Sequence, residues 1–420
     1  MMKQFLITVV TAGYLAGSLW ANIASARMLE SPQSASSGAT TTAVDAFVPV
    51  DEVVTDPAIP VADPEFDEVG NWVTWQLGPN AQTGGLLIVA KLDPDNGDFL
   101  DPQTGLRLTE GGRGQIIDQD LVSRDLTKNG PEWATAAGGS RLLYIKMNAN
   151  NEPSLAEAQY DGSRWTTQFL NDGENRFPPE GSKDLGDTAP RVAYFGFKNG
   201  DAGIERELAT RLVDYAFTER VSPITLDGAT FIPGDSAILG TAPADGTLQV
   251  MLWDYDVGTV EQITFDSGEK QQTPEAWRAP ELGDDEMFVV QARYRTQTIG
   301  RVYRHETGNG GVPVWTQYMQ IASPDPGKPF MRSTRPFVYQ GKSYISFKVQ
   351  QSRDDNLGVD FYITDLVQDY TQRLVRKISS DVFMYRYDQE IYTTSNGPVI
   401  YYSEVTPRGI HIQHRMQTGL

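Results

Sequence analysis

The fold of this chain is decided by four short runs within residues 229–266. The runs are Thr230–Ile232 (TFI), Ser236–Gly240 (SAILG), Leu248–Asp254 (LQVMLWD) and Val260–Thr264 (VEQIT). β-branched and aromatic residues dominate them, and Gly, Asp and Pro lie between them, which is typical of strands joined by turns. The segment therefore predicts a unit of four short strands.

The same order of strands recurs along the chain. The second strand of each unit is centred near Thr74, Tyr144, Ala193, Ile238, Val290, Ser346 and Tyr392. Apart from the first interval, which contains an insertion at 93–114, the centres lie roughly 50 residues apart, as four-stranded propeller blades do. A helical period is nearly absent; residues 204–215 could form a helix or two strands. The sequence predicts an all-β β-propeller of about seven blades. A propeller of six blades is the other possibility, if the first unit is an irregular cap. A β-sandwich array is the alternative fold.

One junction between units resembles the blades of TolB-like and WD40-like β-propellers. Residues 252–264 (LWDYDVGTVEQIT) contain a strand that ends in Asp and a strand that closes on Ile-Thr, and Pro274–Trp277 follows. The family usually continues with Ser-Pro-Asp-Gly, whereas residues 278–283 are RAPELG. Residues 130–144 give a second partial match, so the resemblance covers about two of seven units. It implies a propeller fold and carries no site residues.

The composition excludes several classes of protein. The chain has 420 residues, no cysteine, and 35 Lys+Arg against 55 Asp+Glu, which gives a net charge of −20. Without cysteine there is no disulfide, thiolate nucleophile or Cys-ligated zinc. Phosphate binding needs a basic surface, so we expect no nucleic-acid partner.

The first 26 residues are typical of an export signal. Lys3 precedes an uncharged apolar stretch, and Ala24-Ser25-Ala26 offers the small-x-small pattern that a signal peptidase cleaves. An uncleaved membrane anchor is the alternative, because the uncharged stretch is nearly long enough to span a bilayer. We expect cleavage, no integral membrane span afterwards, and a periplasmic or secreted bacterial protein.

Residues 27–68 differ from the rest of the chain. They contain nine acidic residues and one basic residue, Arg27, among many Ser, Thr, Ala and Pro. Such a stretch buries too little apolar surface to offset the entropy lost on ordering. The predicted organisation is a signal peptide at 1–26, an acidic disordered linker at 27–68 and a propeller domain at 69–420.

Carboxylates are the candidate catalytic groups, since His305, His411 and His414 are scattered and do not have metal-ligand spacing. The first strand of each blade lines the central channel of a propeller, and several predicted first strands carry charged residues. The acids are Glu132, Glu180, Asp184 and Glu275, and the bases are Arg278, Arg332 and Arg335. Two carboxylates could act as acid and base on a glycosidic bond, and the Arg residues could bind an acidic glycan. The alternative is that these residues only line a water-filled channel with charges of both signs.

Tryptophans offer a second candidate surface. They are Trp72, Trp75, Trp133, Trp165, Trp253, Trp277 and Trp315. Exposed Trp rings stack on sugars, and Trp133 and Trp277 are the candidates beside the channel acids. Packing between blades is the simpler explanation of their even spread.

The insertion in the first unit is a candidate calcium loop. Asp93, Asp95, Asn96, Asp98 and Asp101 supply oxygen atoms of the kind that Ca²⁺ prefers. The spacing departs from an EF-hand, in which Gly would come one place later and Glu would stand at the twelfth position. A plain Asp/Asn-Gly turn is the alternative.

Two functions of different class stay open. We expect a binding protein for an extracellular or periplasmic glycan or protein; the alternative is a glycoside hydrolase or lyase. A cluster of Glu132, Glu180 and Glu275 would favour the enzyme. Dispersal of these residues, or their neutralisation by Arg, would favour binding.

Overall fold

The computed structural model describes most of the chain after residue 46. The described residues are 47–59, 61, 63–78, 85–122, 130–150, 152–170, 175–176, 179–187, 190–200, 203–213, 219–270, 273–307, 313–353, 358–382, 384–406 and 410–420. The expected signal peptide, and residues 27–46 of the expected linker, lie outside this part. Across the described residues there is no helix of the length and apolarity that a bilayer-spanning helix requires.

The described residues form 31 strands and two 3-10 helices, Leu108–Glu110 and Pro280–Leu282. The strands are β1 (Asp51–Val53), β2 (Glu65–Asp67), β3 (Trp72–Leu77), β4 (Gly85–Leu92), β5 (Phe99–Leu100), β6 (Gln115–Leu121), β7 (Glu132–Ala136), β8 (Gly139–Met147), β9 (Pro153–Tyr160), β10 (Trp165–Phe169), β11 (Asn175–Arg176), β12 (Glu180–Gly181), β13 (Val192–Gly200), β14 (Gly203–Val213), β15 (Glu219–Val221), β16 (Asp227–Phe231), β17 (Ala237–Ala244), β18 (Thr247–Asp254), β19 (Thr259–Gln262), β20 (Glu269–Lys270), β21 (Glu275–Ala279), β22 (Asp285–Arg293), β23 (Thr298–Thr307), β24 (Pro313–Ile321), β25 (Phe330–Tyr339), β26 (Lys342–Gln350), β27 (Asp360–Asp365), β28 (Val375–Lys377), β29 (Arg386–Thr394), β30 (Gly397–Val405) and β31 (His411–Gln417).

These strands make seven four-stranded antiparallel blades. In chain order the blades are β2-β3-β4-β6, β7 to β10, β12 to β15, β16 to β19, β21 to β24, β25 to β28, and β29-β30-β31-β1. The short strands β5, β11 and β20 pair at the blade margins. Because β1 pairs with β31, the last blade is completed by the start of the described chain.

The blades form a closed ring around a central channel. Each first strand contacts the next in the order β2, β7, β12, β16, β21, β25, β29 and back to β2. The apolar core is divided in the same way into seven clusters, each shared by two neighbouring blades. A blade buries both faces only when it has a neighbour on each side, so the ring is the unit of stability. The predicted all-β, seven-bladed propeller is confirmed.

Two expectations about the ends of the ring are wrong. The strands β1 and β2 lie within residues 27–68, so the expected domain start at residue 69 is too late. Tyr392 lies on β29, the first strand of blade 7, and not on a second strand. Both errors arise where the ring closes. Residues 204–213 of the ambiguous stretch 204–215 belong to the single strand β14, and residues 214–215 lie outside the described residues.

Candidate functional site

Six of the seven first strands place one charged side chain at the channel. The strand registers pair Glu65 with Thr74, Glu132 with Leu143, Glu180 with Ala193, Glu275 with Val289, Arg335 with Ser346, and Glu390 with Tyr401. Lys183 follows β12 and bridges to Thr135 of β7. We call these seven residues, Glu65, Glu132, Glu180, Lys183, Glu275, Arg335 and Glu390, the channel cluster.

Electrostatic interactions link members of the channel cluster across the ring. Glu180 of blade 3 interacts with Glu275 of blade 5, and Arg335 of blade 6 interacts with Glu65 of blade 1. These blades are not neighbours, so the interactions cross the channel itself. Five carboxyl groups face two cations, which gives an excess of three negative charges when all are ionised.

Arg335 forms the clearest ion pairs in the cluster. Its Nη1 lies 2.5 Å from Oε1 of Glu275, and its Nη2 lies 3.2 Å from Oε1 of Glu390. The two carboxylates raise the pKa of Arg335 well above its usual value. The guanidinium thus offers a charge-assisted hydrogen bond to each of two carboxyl groups, with one positive charge shared between them.

Lys183 is the second cation of the cluster, and its side chain is open to solvent in the channel. Enclosure by the ring disfavours its charge, but Glu65, Glu132, Glu390 and Glu180 together raise the pKa of Lys183 above the usual value. The ammonium group therefore stays charged over the whole physiological range.

Two glutamates of the cluster resist ionisation. Burial, and then the charge of Glu132, raises the pKa of both Glu65 and Glu180 well above that of a free glutamate. Burial also raises the pKa of Glu390, against the opposing charge of Arg335. Carboxyls of this kind hold their protons to higher pH, so the channel offers hydrogen-bond donors as well as acceptors.

A buried lysine lies behind the cluster. Lys348 is on β26, the second strand of blade 6, and only 4% of it is exposed. Burial and the nearby Arg332 and Arg335 lower the pKa of Lys348 to about 8, although Asp388 opposes this shift. Arg332 therefore lies close to the channel residues, and its charge lowers the pKa of Lys348.

The structure brings together four of the predicted site residues, Glu132, Glu180, Glu275 and Arg335. Arg278 is used elsewhere: its Nε donates to the carbonyl of Pro233 at 2.7 Å, and its Nη2 lies 2.8 Å from Glu286. It therefore joins blades 4 and 5. Asp184 accepts from the backbone N–H groups of Gly186 and Gly234, and so joins blades 3 and 4.

The expectation that Trp133 and Trp277 bind a ligand is wrong. Only 1% of Trp133 and 6% of Trp277 are exposed. The indole N–H of Trp133 donates to the carbonyl of Glu65 at 3.3 Å, and that of Trp277 donates to Ser343 at 3.1 Å. A ring buried between blades has no free face for a sugar, so packing explains both residues.

The loop at 93–101 does not gather its oxygen atoms around one centre. Asp93 and Asn96 accept backbone N–H groups of Asp95 and Asp98, and Asp101 accepts from Gln103, Thr104 and Arg113. Asp95 accepts from Ser395, and Asp98 pairs with Arg107 and Arg415. Within the described ranges, no group of three His, Cys, Asp or Glu is placed to hold a metal ion. These contacts favour the turn over the calcium site.

Three residues of the channel cluster, Glu65, Lys183 and Glu390, were not predicted from the sequence. A signal for the first was present: the dipeptide Pro-Glu begins the first strand at 64–65, 131–132, 179–180 and 274–275. Proline is tolerated at the start of a strand, and in these four strands the glutamate that follows it belongs to the channel cluster. The Pro-Glu at 280–281 lies in a 3-10 helix instead, so the dipeptide alone does not identify a channel position.

Comparisons with known proteins found similar solved structures but no family. No family model matches this chain, and no curated protein matches it. It is similar to the β-propeller domain of the Trilobed protease from Pyrococcus furiosus, with 10% identity and a TM-score of 0.49 over 85% of this chain and 94% of that one. It is also similar to the Pyrococcus horikoshii acylaminoacyl peptidase, with 12% identity and a TM-score of 0.49 over 86% of this chain. The match spans about half of that peptidase, 51%. Trypanosoma rangeli sialidase matches with 10% identity and a TM-score of 0.37 over 76% of this chain and 56% of that one.

Proposed function

We propose that this protein is a binding propeller of the periplasm or cell exterior, and that its channel cluster recognises a glycan or protein ligand. The observation that carries the proposal is the pairing of Arg335 with both Glu275 and Glu390. Carboxylates that are held in ion pairs suit ligand recognition better than proton transfer, because a general base must be free to accept a proton.

The charge of the channel cluster indicates the groups of the ligand. With Glu65 and Glu180 protonated, three carboxylates face two cations, so the channel favours hydroxyl groups of a sugar and, through a small excess of negative charge, the ammonium and guanidinium groups of a protein. Protonated Glu65 and Glu180 donate hydrogen bonds, and ionised neighbours accept them. A ligand rich in carboxylate or sulfate groups is disfavoured.

Thermal unfolding of residues 27–420 tests this proposal. The midpoint would be measured with neutral, cationic and acidic oligosaccharides, with basic peptides and with Ca²⁺, and released sugars would be assayed in the same samples. A ligand that prefers the native state raises the midpoint. The rise should shrink in Glu132→Gln and persist in Glu261→Gln, which removes an exposed carboxylate on β19. A set in which no ligand raises the midpoint would contradict the proposal.

A polysaccharide-active enzyme is the second candidate, and the raised pKa of Glu65 and Glu180 is the observation that favours it. A general acid on a glycosidic oxygen needs such a carboxyl. Release of product sugar that is lost in Glu180→Gln, and that falls as the pH rises through the titration of this carboxyl, would replace the binding proposal.

A further inference from the structure

Arg332 and Lys348 place two further positive charges on blade 6, beside the channel cluster. Arg332 lies on β25, opposite Lys348 of β26. Arg335 of the same strand lies opposite Ser346. Positions 346 and 348 share one face of β26, because side chains alternate along a strand. The three cations therefore lie on the same face of blade 6.

A β-bulge brings Arg332 to this face. Residues 332 and 335 are three apart, so they would point to opposite sides of a regular strand. The register of β25 shifts between them, and Ser333 has a φ of 50°, in the left-handed region. The extra residue restores the common side. Arg332 and Arg335 thus form two successive levels, which are roughly 7 Å apart along the strand.

The charge of Arg332 is not balanced by a neighbouring carboxylate. The side chain is half-buried, and among the residues that the structure describes it forms no ion pair. Arg335, in contrast, is shared between Glu275 and Glu390. The guanidinium of Arg332 has five N–H donors in a planar fork, which suits the oxygen atoms of a carboxylate or a phosphate.

Lys348 lies in the field of Arg332. Only 4% of Lys348 is exposed, and its Nζ lies 5.9 Å from the centre of the Tyr387 ring on blade 7. Burial and then the charge of Arg332 lower the pKa of Lys348, and this repulsion exceeds the attraction from Asp388. The potential at Lys348 is thus positive, in a chain whose net charge is −20. An anion beside Arg332 would relieve the repulsion between the two cations.

The carboxyl groups of the channel cluster lie at the next level. Glu275 and Glu390 contact Arg335, and Glu180 interacts with Glu275 across the channel. One channel therefore offers a cation at the level of Arg332 and several carboxyl groups at the level of Arg335. A ligand that complements both levels must carry an anionic group as well as hydroxyl or ammonium groups.

We propose that the channel binds a ligand in which one anionic group, a carboxylate or a phosphate, is joined to hydroxyl or ammonium groups within roughly 7 Å. Arg332 binds the anionic group, and Lys348 adds attraction from behind it. The carboxyl groups of the channel cluster bind the hydroxyl or ammonium groups. This anion subsite rests on the proposed function, since it belongs to the same channel. The remainder of the chain repels anions, so any preference for an anionic ligand must arise locally.

Calorimetric titration of residues 27–420 with three amino sugars tests the subsite. The probes are glucosamine, glucosamine 6-phosphate and muramic acid, which share one amino sugar; the second adds a phosphate and the third a carboxylate. We expect at least one of the two anionic probes to bind about tenfold or more tightly than glucosamine, because it gains a charge-assisted hydrogen bond. The tighter of the two identifies the anionic group.

Variants locate the preference for the anion. Arg332→Met should bring the affinity of the anionic probe close to that of glucosamine, and Arg332→Lys should keep part of the difference. Arg295→Met removes an exposed positive charge from the loop between β22 and β23, and it should keep the full difference. Thermal unfolding without ligand shows whether each variant is folded.

The outcomes separate this subsite from the proposed function. If neutral oligosaccharides or basic peptides raise the thermal midpoint but neither anionic probe binds more tightly than glucosamine, the channel is a binding site and the anion subsite is wrong. A tenfold preference that persists in a folded Arg332→Met variant would also overturn it. If no ligand in either set binds, both proposals fail.

Discussion

Arg335 connects three blades through one side chain. It lies on β25 of blade 6 and pairs with Glu275 of blade 5 and Glu390 of blade 7. Its side chain is 37% exposed, so solvent screens part of this attraction. The residue therefore acts mainly by placing one positive charge between two neighbouring carboxyl groups in a crowded channel.

Replacing Arg335 with Met should destabilise the protein by roughly 1–2 kcal/mol at pH 8, after allowance for screening. Burial already raises the pKa of Glu390, and the loss of the opposing charge of Arg335 raises the pKa of Glu390 further above that of the unfolded chain. That penalty disappears when the pH falls below the titration of free glutamate. Urea unfolding at pH 5 and pH 8 checks this. Arg293→Met, which breaks an exposed pair with Glu269, should cost less and show little change with pH; equal losses in both variants would contradict the prediction.

Replacing Glu65 with Gln should stabilise the protein at high pH. The raised pKa of Glu65 means that the folded chain keeps a proton that the unfolded chain releases, so stability falls as the pH rises through the folded-state titration. The variant has no such group. We expect a gain on the order of 1–2 kcal/mol at pH 8 that vanishes near pH 4, measured by urea unfolding. A gain independent of pH would point to packing instead of charge.

Single residues show what the sequence could reveal about the site. Glu132, Glu180 and Glu275 were predictable because each begins a strand after proline. Glu65 obeys the same rule, but it lies in a stretch whose acidic composition suggested disorder. Lys183 follows its strand by two residues, and only the packing of β12 against β7 brings it into the channel.

At the scale of elements, the loop at 93–101 of blade 1 braces blade 7. Gly97 lies at its turn with φ of 78°, and Tyr401 donates to the Gly97 carbonyl. Ser395 donates to Asp95 at 2.7 Å, and Asn396 donates to the Asp95 carbonyl. Two of the carboxylates that suggested calcium from the sequence, Asp95 and Asp98, thus contact the neighbouring blade. Spacing could not show this, because the partners lie about 300 residues away in the chain.

Gly97→Ala should therefore be more destabilising than an ordinary turn substitution. A Cβ at Gly97 would clash with the hydroxyl of Tyr401, whereas one at Gly105, with φ of 72°, meets nothing within 4 Å. Both variants carry the backbone cost of positive φ, about 1 kcal/mol. We expect Gly97→Ala to lose about 1–3 kcal/mol more than Gly105→Ala in urea unfolding, through the displaced Tyr401. Equal losses of unfolding free energy in the two variants would show that the loop changes conformation without disturbing blade 7.

At the scale of the whole molecule, the repeating strands predicted the ring but not its closure. Strand order, blade number and the core position of most tryptophans follow from local patterns of β-branched and aromatic residues. The pairing of β1 with β31 joins residues 363 positions apart, as between Asp51 and His414. No local pattern reports such a pairing, and the acidic residues of β1 that make it specific are the ones that suggested a linker.

A chain that starts at residue 69 should fail to form the native ring. It lacks β1 and β2, together with Val54, Val61 and Phe66 of the core that blade 1 shares with blade 7. We expect insolubility, or a thermal midpoint at least about 10 °C below that of residues 47–420. The chain from residue 47 should match residues 27–420. Similar midpoints for the chains from 47 and 69 would show that closure by β1 and β2 contributes little.

Because blade 7 needs β1, the order in which the chain can fold is also constrained. Until β31 has been synthesised, β1 has no partner, and the apolar surface that blade 1 presents to blade 7 stays uncovered. Bringing residue 51 to residue 416 closes a long loop, whose entropy must be lost before the contacts form. Intermediate lengths of chain can assemble middle blades but cannot complete the ring. The native ring therefore forms only after the last strand has been made.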